Sequence, residues 1–168
     1  MKRLIFVNGA MGAGKTTVCR ELKEMLQPSV FLDGDWCWDM SPFVVTAETQ
    51  QLVLDNICGM LNRFLACDAF ENVIFCWVMH RQEIIDGILA RLETGGAEYR
   101  LFTLDITEKA LRERLGGDIA QGKRTPDVIA RSMDRRLACQ QTRGTKIDVS
   151  RISPREAAVR IARAVKGE

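Results

Sequence analysis

Short apolar runs alternate along this chain with longer stretches whose apolar positions recur every three or four residues. Leu4–Val7, Val30–Leu32, Val73–Val78 and Tyr99–Leu104 are apolar almost without a break, and Ile147–Val149 is a weaker fifth run. A strand without polar alternation is one covered on both faces, the pattern of a parallel sheet. Val18, Leu22 and Met25/Leu26 follow helical spacing until Pro28 ends it. Leu54, Ile57, Leu61, Phe64 and Leu65 mark a longer second helix, and Ile84, Ile85, Ile88, Leu89 and Leu92 a third, with Gly95-Gly96 as its stop. Thr125-Pro126-Asp127 places a capping hydroxyl before a first-turn proline, and Ser153-Pro154-Arg155-Glu156 reads as a capping box with proline at the first helical position. Strands alternating with helices imply right-handed crossovers and a doubly wound α/β sheet. No repeat or linker interrupts the pattern, so residues 1–168 are expected to form one domain.

Composition narrows the class only a little. Hydrophobic residues at 46% and charged residues at 27% are those of a globular chain. Twenty-four basic against 22 acidic side chains give net +2, which argues for neither a nucleic-acid nor a membrane partner. The six cysteines, Cys19, Cys37, Cys58, Cys67, Cys76 and Cys139, contain no C-x-x-C and accompany a single histidine, which excludes a conventional zinc site. Most fall in apolar runs, so they are expected to be reduced core thiols of a cytoplasmic protein. Leu4–Val7 is too short for a signal-peptide core, and no run approaches the roughly 18 apolar residues of a membrane span.

One segment carries specific chemistry. Gly9-Ala10-Met11-Gly12-Ala13-Gly14-Lys15-Thr16 matches G-x-x-x-x-G-K-[ST], directly after the first strand and opening the first helix. Glycines let the backbone wrap with its N–H groups inward, and the helix N-terminus adds partial positive charge, so the segment is a phosphate cradle. Lys15 would reach the β- and γ-phosphates, Thr16 would ligate Mg²⁺, and Thr17 would serve the α-phosphate. A GTPase would need D-x-x-G, and no glycine here has an aspartate three residues before it, although Thr145-Lys146-Ile147-Asp148 echoes a guanine-reading motif. Large ATPases need an acidic end to the third strand, which here runs into Met79-His80.

With the second strand ending in Asp33-Gly34-Asp35, the chain resembles the small P-loop kinases: shikimate and gluconate kinases, chloramphenicol phosphotransferase, tunicamycin-resistance-type proteins, and nucleoside and nucleotide kinases. The resemblance implies a three-layer α/β/α fold, a five-stranded parallel sheet of order 2-3-1-4-5, ATP as donor, Mg²⁺, a small-molecule acceptor and a helical lid near residues 116–127. It departs from shikimate kinase at Trp77-Val78-Met79-His80-Arg81, where that enzyme has a triple glycine, and from gluconate kinase after Trp36.

Under this resemblance Gly9, Met11, Gly12, Ala13, Gly14, Lys15, Thr16 and Thr17 hold the ATP phosphates. Arg114 resembles an arginine that stacks on adenine, and Arg151 and Ile152 the loop packed against it. Lys123 and Arg124 resemble lid donors to the transferring phosphate, with Arg124 assigned to catalysis beside Lys15. Asp33 joins Thr16 in the metal shell, and Asp35 faces the acceptor as ligand or general base. His80, Arg81 and Trp36 are placed at the acceptor. Trp36, Trp38, Met40 and Phe43 either floor the acceptor pocket or fill the core beneath the second helix. Residues 112–143 hold eight basic and four acidic side chains, a net +4 that, with Gly116-Gly117 and Gly122 as hinge glycines beside the donors, suits a lid closing over ATP or, equally, solvated helix faces. The expected activity is transfer of the ATP γ-phosphoryl to a small acceptor, by a monomer or homodimer. An ATP-binding regulatory module and a polynucleotide kinase stand as the alternatives.

Overall fold

A computed structural model describes all residues 1–168. In chain order the elements are β1 (Arg3–Asn8), α1 (Lys15–Met25), β2 (Ser29–Asp33), α2 (Ala47–Ala66), β3 (Asn72–Trp77), α3 (Gln82–Leu89), β4 (Glu98–Asp105), α4 (Glu108–Ala120), α5 (Val128–Gln140), β5 (Thr145–Asp148) and α6 (Pro154–Lys166). A 3-10 turn, Gly34–Trp38, follows β2. The five strands pair in parallel in the order β2-β3-β1-β4-β5.

Register explains the apolar runs. Leu4 lies opposite Val73, and Phe6 opposite Phe75 and Leu101, so these residues share one sheet face. They pack with Val53, Ile57 and Leu61 of α2 and Ile85 and Ile88 of α3. Ile5, Val7, Ile74, Cys76, Phe102 and Leu104 face the other way, toward α1, α4 and α6. Each fully buried Phe or Leu contributes about 1.5–3 kcal/mol of apolar burial, so two covered faces are what a strand apolar throughout requires. All six cysteines are free, and Cys19, Cys58, Cys76 and Cys139 are buried. No helix is long and apolar enough to cross a membrane.

Several expected boundaries move. α3 stops at Leu89, well before Gly95, because the Asn62 side chain of α2 takes the Arg91 carbonyl at 3.0 Å and the Glu93 N–H at 2.8 Å. α5 starts at Val128, and Thr125 turns its hydroxyl to the Asp127 carboxylate instead of capping the helix backbone. Ser153 caps α6 by accepting from the Glu156 N–H at 3.1 Å, yet the Glu156 carboxylate takes Arg160 rather than reaching back, so only half the box forms. Gly116 and Gly117 are not hinges between elements. They sit inside α4, where buried Leu111 and Leu115 outweigh the roughly 1 kcal/mol that each helical glycine costs.

Candidate functional site

Parallel strands deliver their carboxyl ends to one edge, and the loops after β1, β2 and β3 meet there. The loop after β1 depends on positive φ at Gly12 and Gly14, 83° and 95°, which disfavours side chains there. A Cβ at Gly12 would also lie 2.7 Å from Leu115 Cδ2, so α4 clamps the loop from outside. α1 begins at Lys15, which aims its N-terminal N–H groups at the loop. Lys15 itself is buried and donates to the Ala10 carbonyl at 3.0 Å. The Gly9 N–H is engaged by Asn8 Oδ1 at 2.8 Å, so Gly9 shapes the loop and its N–H is committed. Thr17 is exposed on the first turn of α1.

Asn8 is a residue that sequence reasoning passed over. Fully buried, it accepts from the Met79 N–H at 2.8 Å and donates to the Met79 carbonyl at 2.9 Å and to Thr142 Oγ1 at 3.3 Å. One amide thus ties the start of the phosphate loop to the end of β3 and the end of α5. Its only sequence signal is a polar residue closing an apolar strand. Lys146 holds the same end of α5 by donating to the Cys139 carbonyl at 3.2 Å and to the Thr142 carbonyl, favourable contacts at a helix C-terminus. The echo of a guanine-reading motif at 145–148 is therefore a structural anchor.

Thr16 donates its hydroxyl to Asp33 Oδ2 at 2.5 Å, and Asp33 Oδ1 accepts from the Asp35 N–H at 3.0 Å. Asp33 is 3% exposed. A hydroxyl and one carboxylate at a phosphate cradle form a hard-oxygen set that fits Mg²⁺, which keeps most of its shell as water and phosphate oxygen. No cluster of three acidic, histidine or cysteine side chains exists to make a closed metal cage. Asp35 opens onto solvent from the 3-10 turn. Removal of water by the surrounding groove raises its carboxyl above the usual aspartate value, Lys15 opposes the shift, and Asp33 adds to it.

Two clefts flank the loop. On one side, a cleft of about 450 Å³ is lined by Gly12, Ala13, Gly14, Arg114, Lys123 and Ile152 among others. Arg114 spans it, donating to the Ala13 carbonyl at 3.1 Å and the Val149 carbonyl at 2.5 Å. Ile152 lines this cleft, while Arg151 is exposed outside it and Ser153, Pro154 and Ala157 complete the wall. Arg124 pairs with Asp118 at 3.1 Å and lines neither cleft.

On the other side, a groove of about 1240 Å³ brings together Thr16, Asp33, Asp35, Trp36, His80 and Arg81. Met11 faces this groove rather than the first cleft. Trp36 and Phe43 line it too, Met40 packs against the α2–α3 core, and Trp38 does both. Trp77 and Arg135 are further members that sequence reasoning missed, since one ends an apolar strand and the other sits among many helical arginines. Arg135 contacts His80 Nε2. Burial, then Arg135 and Arg81, push His80 below its ordinary pKa, so the ring is neutral near pH 7 and accepts from Arg135.

Gly34 is explained by close approach, not by φ. A Cβ there would lie 2.6 Å from Trp77 Cγ and 3.1 Å from Trp77 Cβ. Gly34→Ala is expected to displace the indole beside Asp35 and to cost about 1–3 kcal/mol, as overpacking does. Urea unfolding followed by tryptophan emission checks this, because an unchanged midpoint and an unchanged native spectrum would show that the ring had room.

The family model described as an AAA domain matches residues 5–136. No curated protein sequence matches the chain. Among solved structures, the tunicamycin resistance protein of Deinococcus radiodurans aligns at 22% identity and TM-score 0.68, covering 98% of this chain and 96% of that one. Shikimate kinase from Acinetobacter baumannii in complex with shikimate aligns at 19% identity and TM-score 0.69, covering 99% and 94%. A gluconokinase from Sinorhizobium meliloti 1021 aligns at 18% and 0.66, covering 98% and 96%. With more than half its length matched by that family, and with the fold of the small P-loop kinases its sequence resembles, the chain belongs to the AAA domain family of P-loop proteins.

Proposed function

We propose that the protein is an ATP-dependent phosphotransferase that moves the γ-phosphoryl group of ATP onto a hydroxyl of a small acceptor. The observation that carries this reading is the pair of clefts on either side of one phosphate loop. A module that only bound ATP would need the first cleft. The second opens on Thr16, Asp33 and Asp35, where a transferring phosphoryl would emerge.

On this reading the two clefts divide the labour. The first cleft takes the adenosine, with Arg114 as its rigid wall. Gly12, Ala13, Gly14, Lys15, Thr16 and Thr17 take the phosphates, and Lys15 offsets charge on the γ-phosphoryl as it loosens from the leaving diphosphate. Thr16 and Asp33 would hold Mg²⁺, which supplies charge neutralisation of the phosphate oxygens when bound. Asp35 orients the acceptor hydroxyl and accepts its proton as the oxygen attacks phosphorus. Residues 116–127 act as the lid. Lys123 already faces the adenosine cleft, and Arg124 reaches the phosphates by exchanging Asp118 for them on closure.

Thermal shift tests the reading. A non-hydrolysable ATP analogue with Mg²⁺ should raise the melting point, and a true acceptor should raise it beyond the analogue alone. A shift from the analogue with silence across nucleosides, nucleotides, sugars and aminoglycoside-like compounds would favour an ATP-binding module instead.

A further inference from the structure

We propose that the groove takes an acceptor made of a planar ring and an anionic group, the ring against Trp36, Trp38, Trp77 and Phe43 and the carboxylate or phosphate on Arg81 and Arg135. The proposal rests on the reading of this groove as the acceptor site and names the class of molecule that it fits.

All three tryptophans of the chain line this one groove. Trp38 and Trp77 also pack against the α2–α3 core, but core filling does not account for Trp36, which is 49% exposed, or for Phe43, which is 66% exposed. Trp36 is braced edge-on by Phe31 at 5.2 Å, and Trp38 meets Phe43 at a tilt with centroids 5.8 Å apart. Braced, exposed aromatics give large contact area at little cost in side-chain entropy, and ring faces prefer other rings. Leu54 and Ile84 extend the same apolar wall.

The groove also carries two guanidiniums, those of Arg81 and Arg135. Arg91, Arg112, Arg124, Arg131 and Arg143 each pair with a carboxylate. Neither Arg81 nor Arg135 forms an ion pair, although both line the groove. Arg135 is held instead by His80, whose ring is neutral near pH 7. A carboxylate in that place would fix the guanidinium and cancel its charge, whereas a neutral imidazole fixes it and leaves the charge for a ligand. The groove's own acids, Asp33, Asp35 and Asp39, come from β2 and the turn after it, while Arg81 and Arg135 come from the N-cap of α3 and from α5. Hydroxyl activation and anion capture therefore fall on different elements. A guanidinium suits a planar carboxylate or a phosphate through parallel N–H donors.

Because every tryptophan lies in the groove, tryptophan emission reports its occupancy. The full chain, with Mg²⁺ and a non-hydrolysable ATP analogue, is titrated with nucleoside 5′-monophosphates and with hydroxybenzoates. The matching nucleosides and hydroxybenzyl alcohols are the neutral controls. At least one anionic series should change the emission at concentrations about 10- to 100-fold below its neutral counterpart, the range expected of charge-assisted hydrogen bonds. Which series responds separates phosphate from carboxylate. Arg135→Met should erase the preference and leave affinity for the ATP analogue unchanged. His80→Asp, which keeps Arg135 held while cancelling its charge, should do the same. Equal response to neutral and anionic rings, silence from all four series, a preference that survives both variants, or loss of the analogue in Arg135→Met would each overturn the proposal. Ring anions that bind while the analogue fails to bind would sustain it and overturn the kinase reading.

Discussion

Lys15→Ala is expected to lower acceptor-dependent ATP turnover by at least about 10²- to 10³-fold, the range for removing one preorganised donor from a developing charge. The protein should stay folded. Lys15 is 8% exposed, and its one hydrogen bond in the structure goes to the Ala10 carbonyl at 3.0 Å. Lys15 forms no salt bridge and acts on Asp35 only through its field, so removing this dehydrated cation is expected to leave the fold intact. A melting point equal to or above that of the wild type, together with the lost turnover, separates a catalytic lysine from a structural one. Equal turnover would remove Lys15 from the mechanism. A collapsed melting point would make it a structural residue of the loop.

Asp35→Asn should lower turnover by about 10²- to 10⁴-fold, as loss of general-base catalysis does, while MgATP affinity changes little. The backbone N–H of residue 35 would still donate to Asp33 Oδ1, so the local turn survives the change. Asn keeps the size and the hydrogen-bonding oxygen but takes no proton. A modest loss confined to KM would reduce Asp35 to a substrate ligand, and an unchanged rate constant would assign the proton to another group. Stopped-flow or coupled turnover under saturating acceptor distinguishes these results.

What the sequence disclosed depended on how local the cause was. The phosphate loop, the two aspartates and the strands themselves follow from short patterns: glycine spacing, apolar runs, and the parity that puts Leu4 and Phe6 on one face and Ile5 and Val7 on the other, while the order of the strands came from the resemblance to small P-loop kinases. The two-cleft arrangement does not follow from any short pattern. Arg135 and His80 are separated by 55 residues and meet only because α5 returns across the sheet edge after α4. Asn8 was hidden for a similar reason, since its partners Met79 and Thr142 are 71 and 134 residues away. Gly34 admits the Trp77 ring, a role that no local signal encodes. The lid glycines misled in the opposite direction. Their sequence suggested a break, and the burial of Leu111 and Leu115 against the phosphate loop keeps α4 continuous through them.

The central claim is that a phosphoryl group passes over one loop from the adenosine cleft into the aromatic groove. Label transfer from γ-labelled ATP into a small-molecule extract, with Mg²⁺ and the wild-type, Lys15→Ala and Asp35→Asn proteins side by side, tests it most directly. The account predicts a labelled small molecule distinct from ATP and inorganic phosphate with the wild type, and none above background with either variant. Label found only in inorganic phosphate, or a labelled product formed equally by Asp35→Asn, would contradict it.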